Sequence, residues 1–371
     1  MRKVVVACLV FLVVPAGAVA QGGNCDANFH IVHELGGSGE LYDIEFSAPN
    51  EGWAVGFDYA NDENGVATLS QGPQERPWVV HFDHDSFESI TPPHESGIQL
   101  ASVDVIASND IYAAGYRFMP RRRAETVVYH WDGIAWARME TPSPGMRAYL
   151  KGVVAVAPTD IWTVGHFSRR GEYGSRTLVL HFDGTEWERF RTPSPARFST
   201  LNAVGTASQR QVWAVGGKGT SRPLVLRWNG TEWQNVQVPR RIGGTFEALD
   251  VVARNELWAS GRHIVRYADR QWRLSKTPDL RGSETYFDVA VAGGEVWSVG
   301  HRFVLRPYET VIPLAVHRSG GEWRRASFEG DRYGHVDGVA LDSTGAAWAI
   351  GGTFDPAGPD VGDVIEKACS S

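Results

Sequence analysis

Three regularities in this sequence predict an all-β fold, a seven-bladed β-propeller of four-stranded antiparallel blades. An aromatic-x-x-Gly core recurs from Trp53 to Gly56, Tyr112 to Gly115, Trp162 to Gly165, Trp213 to Gly216, Trp258 to Gly261, Trp297 to Gly300 and Trp348 to Gly351. A hairpin of the form His-Phe-Asp-Gly-Thr-Glu-Trp recurs in step, starting at His81, His130, His181, Arg227, Arg266 and His317. Between these marks, short apolar runs alternate with turn signals at near-constant spacing, the pattern of a blade.

The repeating unit is clearest from Leu150 to Pro195. There LKGVVAVA reads as an apolar strand, APTD as a turn, IWTVG as a second strand, TLVLHF as a third and WERFRTP as a fourth. Asp183-Gly184 supplies the backbone that a two-residue hairpin needs, and Pro193 and Pro195 stop the last strand.

Taken in order, the chain opens with Arg2 and Lys3 ahead of an apolar run from Val4 to Val14, then Ala18-Val19-Ala20 in the small-x-small form of a cleavage site. This reads as a signal peptide over residues 1–20, with residues 21–371 forming one propeller outside the cytoplasm, extracellular or periplasmic. The run is too short to span a bilayer, and no later stretch could do so, so no transmembrane segment is expected. Cys8 leaves with the signal. Cys25 and Cys369 remain, one near each end, and are expected to pair in an oxidising compartment; two free thiols are the alternative.

The last blade explains the missing seventh hairpin. After Trp348 the chain has room for one more strand, VGDVIEKAC, and then ends. Aligned on the hairpin, Cys369 falls where Asp183 sits. The segment CDANFHIVHEL puts Cys25 at that same position and Phe29 where Trp187 sits. Residues from Phe29 to Leu35 are therefore expected to form the outer strand of the last blade and close the ring, with a Cys25–Cys369 disulfide replacing the covalent turn.

Composition fits such a domain: 43% hydrophobic and 21% charged residues suffice for a core, and the 14 Trp fall on strand positions suited to packing between blades. The formal net charge of −7 becomes more negative by two when the signal leaves, which gives no reason to expect nucleic acid as partner.

In a propeller, the connections between strands two and three and those between blades share one face. Here those connections are rich in Arg: Arg117 and Arg121, Arg122 and Arg123 in blade two, Arg169, Arg170 and Arg176 in blade three, Lys218 and Arg222 in blade four, and Arg147, Arg197, Arg240 and Arg241 between blades. Blades one and seven offer Asp58, Asp62, Glu63, Asp355, Asp360 and Asp363 instead, so a basic sector is expected beside an acidic one. Aromatics outside the repeat lie on the same face: Tyr59, Tyr116, Phe118, Phe167, Tyr173, Phe198, Phe303, Tyr308 and Tyr333. Arg beside Tyr suits an anionic polymer or a protein partner. The expected ligand-binding residues are Tyr116, Arg121, Arg122, Arg123, Arg169, Arg170 and Tyr173, as contacts and not as catalysts.

Reactive constellations are scarce. His81, Asp83, His84 and Asp85 sit around one tight turn and do not converge on a point, so no metal site is expected, and no cofactor. His81, His130, His181 and His317 recur at one position and read as structural. His166, His263 and His301, near the end of second strands, are better placed for a site. Asn229-Gly-Thr231 matches a glycosylation sequon, but the repeat has Asp-Gly-Thr there elsewhere, so a turn explains it.

Repeats such as QVWAVG, LVLHFDGTEW and TPSP resemble those of secreted bacterial β-propeller proteins, in the style of kelch-like and sensor-type propellers. The resemblance covers about residues 29 to 369 and implies the fold; it implies little about activity. The sialidase Asp-box is not met, because in LDSTGAAW Ser343 stands where its Asp belongs and Leu341 where its Ser belongs. The reading of the sequence is a secreted, monomeric, non-catalytic binding module for an extracellular or cell-surface glycan or protein. A glycan hydrolase or lyase using the same face, or an extracellular assembly or adhesion scaffold, is the alternative.

Overall fold

Short strands of β-branched and aromatic residues, separated by turns with positive φ at residues such as Gly133, Gly184 and Gly230, leave each segment no partner but its sequence neighbours. In the computed structural model, which describes residues 28–35, 39–59, 75–93, 95–208, 210–278, 283–304, 310–329, 333–354 and 362–368, the strands of blades one to six pair antiparallel in this way within each blade. The described residues form no helix, and none is thus long and apolar enough to cross a membrane. The strands group into seven four-stranded antiparallel units.

The inner strands of blades one to six are Glu40–Ala48, Ile98–Ala107, Arg147–Ala157, Ser199–Ser208, Phe246–Ala253 and Ser283–Ala292; in blade seven, Tyr333–Gly334 and Gly338–Leu341 share this place. The ring is closed as expected. Asn28–Glu34 pairs antiparallel with Gly362–Ala368, His30 opposite Lys367 and Glu34 opposite Val364, and so completes the last blade from the other end of the chain. It also meets the outer strand of blade six in parallel, Phe29 opposite Phe328.

Packing between blades is continuous around the ring. One apolar cluster fills each of the seven interfaces, for example Trp53 against Trp136 and Tyr129 between blades one and two, and Phe29 with Trp297 and Ala349 between blades six and seven. The Gly that ends each aromatic-x-x-Gly core has a steric cause. A Cβ on Gly56 would lie 1.8 Å from the Glu40 carbonyl oxygen, one on Gly165 1.8 Å from that of Tyr149, and one on Gly300 1.9 Å from that of Thr285. These glycines face the inner strand just where it bulges, between Leu41 and Asp43, Leu150 and Gly152, and Tyr286 and Asp288. The bulge needs the space that a side chain would take.

The recurring hairpin position is likewise structural. His81, His130, His181 and His317 stack on Trp53, Tyr112, Trp162 and Trp297 with centroids 4.1–4.5 Å apart. Their Nε2 atoms meet carboxylates at the start of the second strand, 2.7 Å from Asp110 for His130 and 2.8 Å from Asp160 for His181. The Thr-Pro-Ser-Pro segments are clasps. Thr126 and Thr177 on third strands bond Thr141 and Thr192, at 3.0 and 2.8 Å, and accept no slack from the connectors because their own N–H groups donate to Ser143 and Ser194. Asp342 in LDSTGAAW is 2% exposed and caps its own turn, accepting from the Thr344 N–H at 2.8 Å and the Trp348 indole at 3.0 Å.

Candidate functional site

The connector arginines shape the loop face. Arg147 Nε donates to the Arg122 carbonyl at 2.7 Å, and Arg197 Nε donates to the Tyr173 carbonyl at 2.6 Å, so each ties the preceding blade's hairpin to the rim. Arg121 and Arg122 adopt positive φ, 62° and 58°, and with Pro120 they make the tight turn that exposes the Arg cluster of blade two. Arg121, Arg122, Arg123 and Arg170 have no ion-pair partner among the described residues. Arg169 lies 3.8 Å from Glu172, which also holds Arg176 at 3.2 Å.

Tyr173 is 73% exposed, a large value for an aromatic ring. It is held nonetheless: Arg197 lies over it, 4.4 Å from the centroid, and Phe198 packs edge-on at 5.3 Å. A fixed exposed ring flanked by guanidiniums can stack on a flat ligand group while the arginines pair with its acids. Burial and the nearby Arg169, Arg191 and Arg176 together hold Arg189 below the usual arginine range, a sign of how much positive charge collects here.

Three sequence-predicted residues sit elsewhere than expected. Tyr116 is 7% exposed: its hydroxyl donates to Gln99 at 2.6 Å, its edge meets Tyr149, and Lys151 lies 4.7 Å above its ring. It is part of the packing beneath the channel mouth, not an open contact. Burial and the neighbouring Tyr149 and Glu75 raise its phenol to about 12. Asp363, assigned from sequence to an acidic surface sector, is 3% exposed and accepts the Leu41 N–H across the blade-seven to blade-one seam. Phe167 is also buried, beneath Arg189. Asp62, Glu63, Asp355, Asp360, Tyr308, Cys25 and Cys369 lie outside the described residues, as does the segment read as a signal peptide.

The inner strands of all seven blades line an axial cavity of about 390 Å³. Its mouth combines Tyr42, Lys151, Asn202 and Glu247, with Tyr149 stacked on His166 at 5.0 Å. Burial, aided by Lys151, lowers His166 to about 4, so its imidazole is neutral near pH 7. His301 and His263 are also lowered by burial. The sequence reading missed Tyr42, Lys151, Asn202 and Glu247. The available signal was a polar residue directly after the buried anchor of the inner strand in five of the blades, as in Leu41-Tyr42, Leu150-Lys151, Leu201-Asn202 and Phe246-Glu247.

Deeper in the channel, carboxylates clip one inner strand to the next. Asp43 accepts the Val103 N–H at 2.9 Å, Asp104 that of Ala155 at 2.5 Å, Asp250 that of Val291 at 2.7 Å and Asp288 that of Val339 at 2.8 Å. Burial raises Asp43, Asp104 and Asp250 to about 6, and burial with the charge of Asp43 raises Asp288 to about 8. Their oxygens are committed to backbone N–H groups, so these four acids serve the scaffold. Among the described residues no group of three or more His, Cys, Asp or Glu is arranged to hold a metal ion.

No family model matches this chain, and no curated protein sequence matches it. Its backbone is similar to solved propellers. The WD40 β-propeller domain of Doa1 superposes with a TM-score of 0.58 at 9% identity, covering 92% of this chain and 98% of that one. YCF48 bound to D1 peptide gives 0.58 at 13% identity, covering 91% and 96%, and YCF48 from Cyanidioschyzon merolae gives 0.55 at 14% identity, covering 92% and 98%. At these identities the likeness is one of fold: the chain is a β-propeller repeat protein.

Proposed function

We propose that this chain is a secreted, monomeric, non-catalytic module that binds an acidic stretch of a polypeptide partner on its loop face, at the rim of blades two to four. The observation that carries the reading is Tyr173, fixed in the open between Arg197 and Phe198 on the loop that also carries Arg169 and Arg170. Such an aromatic and guanidinium pairing is what concentrates binding energy at protein interfaces. A structurally similar propeller, YCF48, is seen bound to D1 peptide, which supports a peptide reading over a purely structural one. Secretion rests on the leader-like first twenty residues and on the two cysteines of the remaining chain, which we take to be joined.

The test is selection of a displayed peptide library on the immobilised protein, run beside an array of neutral and anionic glycans whose masses are followed over time. Enrichment of acidic, aromatic peptides that is lost in Tyr173→Ala and in Arg169→Ala/Arg170→Ala is expected. Retention of glycans with no peptide enrichment would replace the polypeptide with a glycan ligand. A change in glycan mass would overturn the non-catalytic reading.

A further inference from the structure

On the face opposite the loops, blade four breaks a rule kept by its neighbours. A basic or imidazole side chain near the end of the third strand stacks on the second-strand aromatic, and a carboxylate at the start of the second strand closes it: Glu51 with His81, Asp110 with His130, Asp160 with His181, Glu256 with Arg266 and Glu295 with His317. In blade four the carboxylate position is Gln211, and the stacked group is Arg227, 5.2 Å from the Trp213 ring. The Arg227 Nε is buried without a hydrogen-bond partner. Gln211 is 2% exposed, and neither its amide nitrogen nor its amide oxygen has a partner. A buried amide and a buried guanidinium N–H are thus both left with hydrogen-bonding capacity unused, a costly state that a ligand would relieve.

Around them the surface is built for negative charge. A cavity of about 880 Å³ is lined by Arg210, Arg254 and Ser208 together with Gln211, Arg227 and Asn229, with no carboxylate among its lining residues. Asn229 Oδ1 is committed to its turn, accepting from the N–H groups of Thr231 at 2.9 Å and Glu232 at 3.0 Å, so its amide N–H groups remain to donate. Arg210 and Arg254 are exposed and have no ion-pair partner among the described residues.

We propose that this hollow between blades three, four and five binds an oxyanion, the sulfate or phosphate group of a small ligand or of a larger ester. The exchange of carboxylate for Gln is what makes it possible. A carboxylate at 211 would neutralise Arg227 and repel an anion, whereas an amide can donate to it. The three guanidiniums approach from blades four and five and supply the forked donors that tetrahedral oxyanions take up.

The experiment is calorimetric titration of the full-length protein with sodium sulfate and sodium phosphate against sodium chloride at equal ionic strength, then with a sulfated and a phosphorylated hexose. Saturable binding of sulfate or phosphate, absent with chloride, is expected, and the hexose ester that binds more tightly than its inorganic anion identifies the carrier. Gln211→Glu, which rebuilds the pair present in five of the other blades, is expected to weaken binding by about tenfold or more. Arg210→Ala and Arg254→Ala alter exposed residues only and provide the reading if Gln211→Glu folds poorly; each is expected to weaken binding severalfold. Absence of saturable binding, or affinity unchanged in Arg210→Ala and Arg254→Ala, would overturn the proposal. Peptide capture by the opposite face is independent of either result.

Discussion

Replacing Phe29 by Ala tests whether the first described strand carries the closure of the ring. Phe29 is 0% exposed, packs edge-on against Trp297 with centroids 5.2 Å apart and stacks on Phe328 at 5.2 Å. The surrounding cluster includes Ala290, Ala315, Ala347, Ala349 and Ala368, side chains too short to move into the space left behind. The cavity would therefore persist, which places the loss at about 3–5 kcal/mol, as for well-packed Phe→Ala changes. For a domain of this size that corresponds to roughly 5–8 °C in Tm. Val32 on the same strand is 40% exposed, and Val32→Ala is expected to change stability by less than about 0.5 kcal/mol. Urea unfolding followed by tryptophan fluorescence reads both variants. Equal midpoints for wild type and Phe29→Ala, or an equal loss in Val32→Ala, would refute the assignment of closure to this side chain.

Other outcomes follow from the same structure. Asp288 and Asp363 are held near 8 and 7 by burial, above their unfolded values, so the folded state retains protons that the unfolded chain has released; stability is therefore lost progressively from about pH 4 upward, and the last of that loss falls between about pH 6.5 and 8. Histidines lowered by burial, such as His166, His301 and His335, act in the opposite sense below about pH 6.5 and do not oppose this window. Asp288→Asn keeps an acceptor for the Val339 N–H and should flatten the decline by about 1–2 kcal/mol between those pH values, measured by denaturant titration at each pH. Gly165→Ala would drive a methyl into the Tyr149 carbonyl and should destabilise by about 2–3 kcal/mol or prevent folding, whereas Gly171→Ala, with open space but φ at +79°, should cost about 1 kcal/mol; thermal melts separate them. Non-reducing peptide mapping of the protein is expected to recover Cys25 and Cys369 in one linked fragment, and two free thiols would end that proposal.

The architecture was legible because its signals are periodic. The aromatic-x-x-Gly spacing marks where an inner-strand bulge presses on the second strand, and that contact is the same in each blade. Even the borrowed strand could be read, since Phe29 aligns with Trp187, and both prove buried. The site was less legible because periodicity says which face a residue occupies but not whether a neighbour covers it. Tyr173 and Tyr116 look alike in sequence; Arg197 props one open, whereas Gln99 and Tyr149 enclose the other. Asp363 read as surface charge because the Leu41 N–H that it accepts comes from the far end of the chain. The channel mouth was missed for a related reason: Lys151 and Glu247 belong to different blades, and only closure brings them to one opening.

That closing strand also sets a schedule. Pairing between His30 and Lys367 joins residues separated by nearly the whole chain, so during synthesis the early strand waits on the order of tens of seconds for its partner to appear. Until then two sheet edges lie open, one at each end of an incomplete arc, and open edges invite other chains. A protein built in this way is most vulnerable before its last residues emerge, and its yield in a cell should depend more on protection of the nascent arc than on the stability of the finished ring.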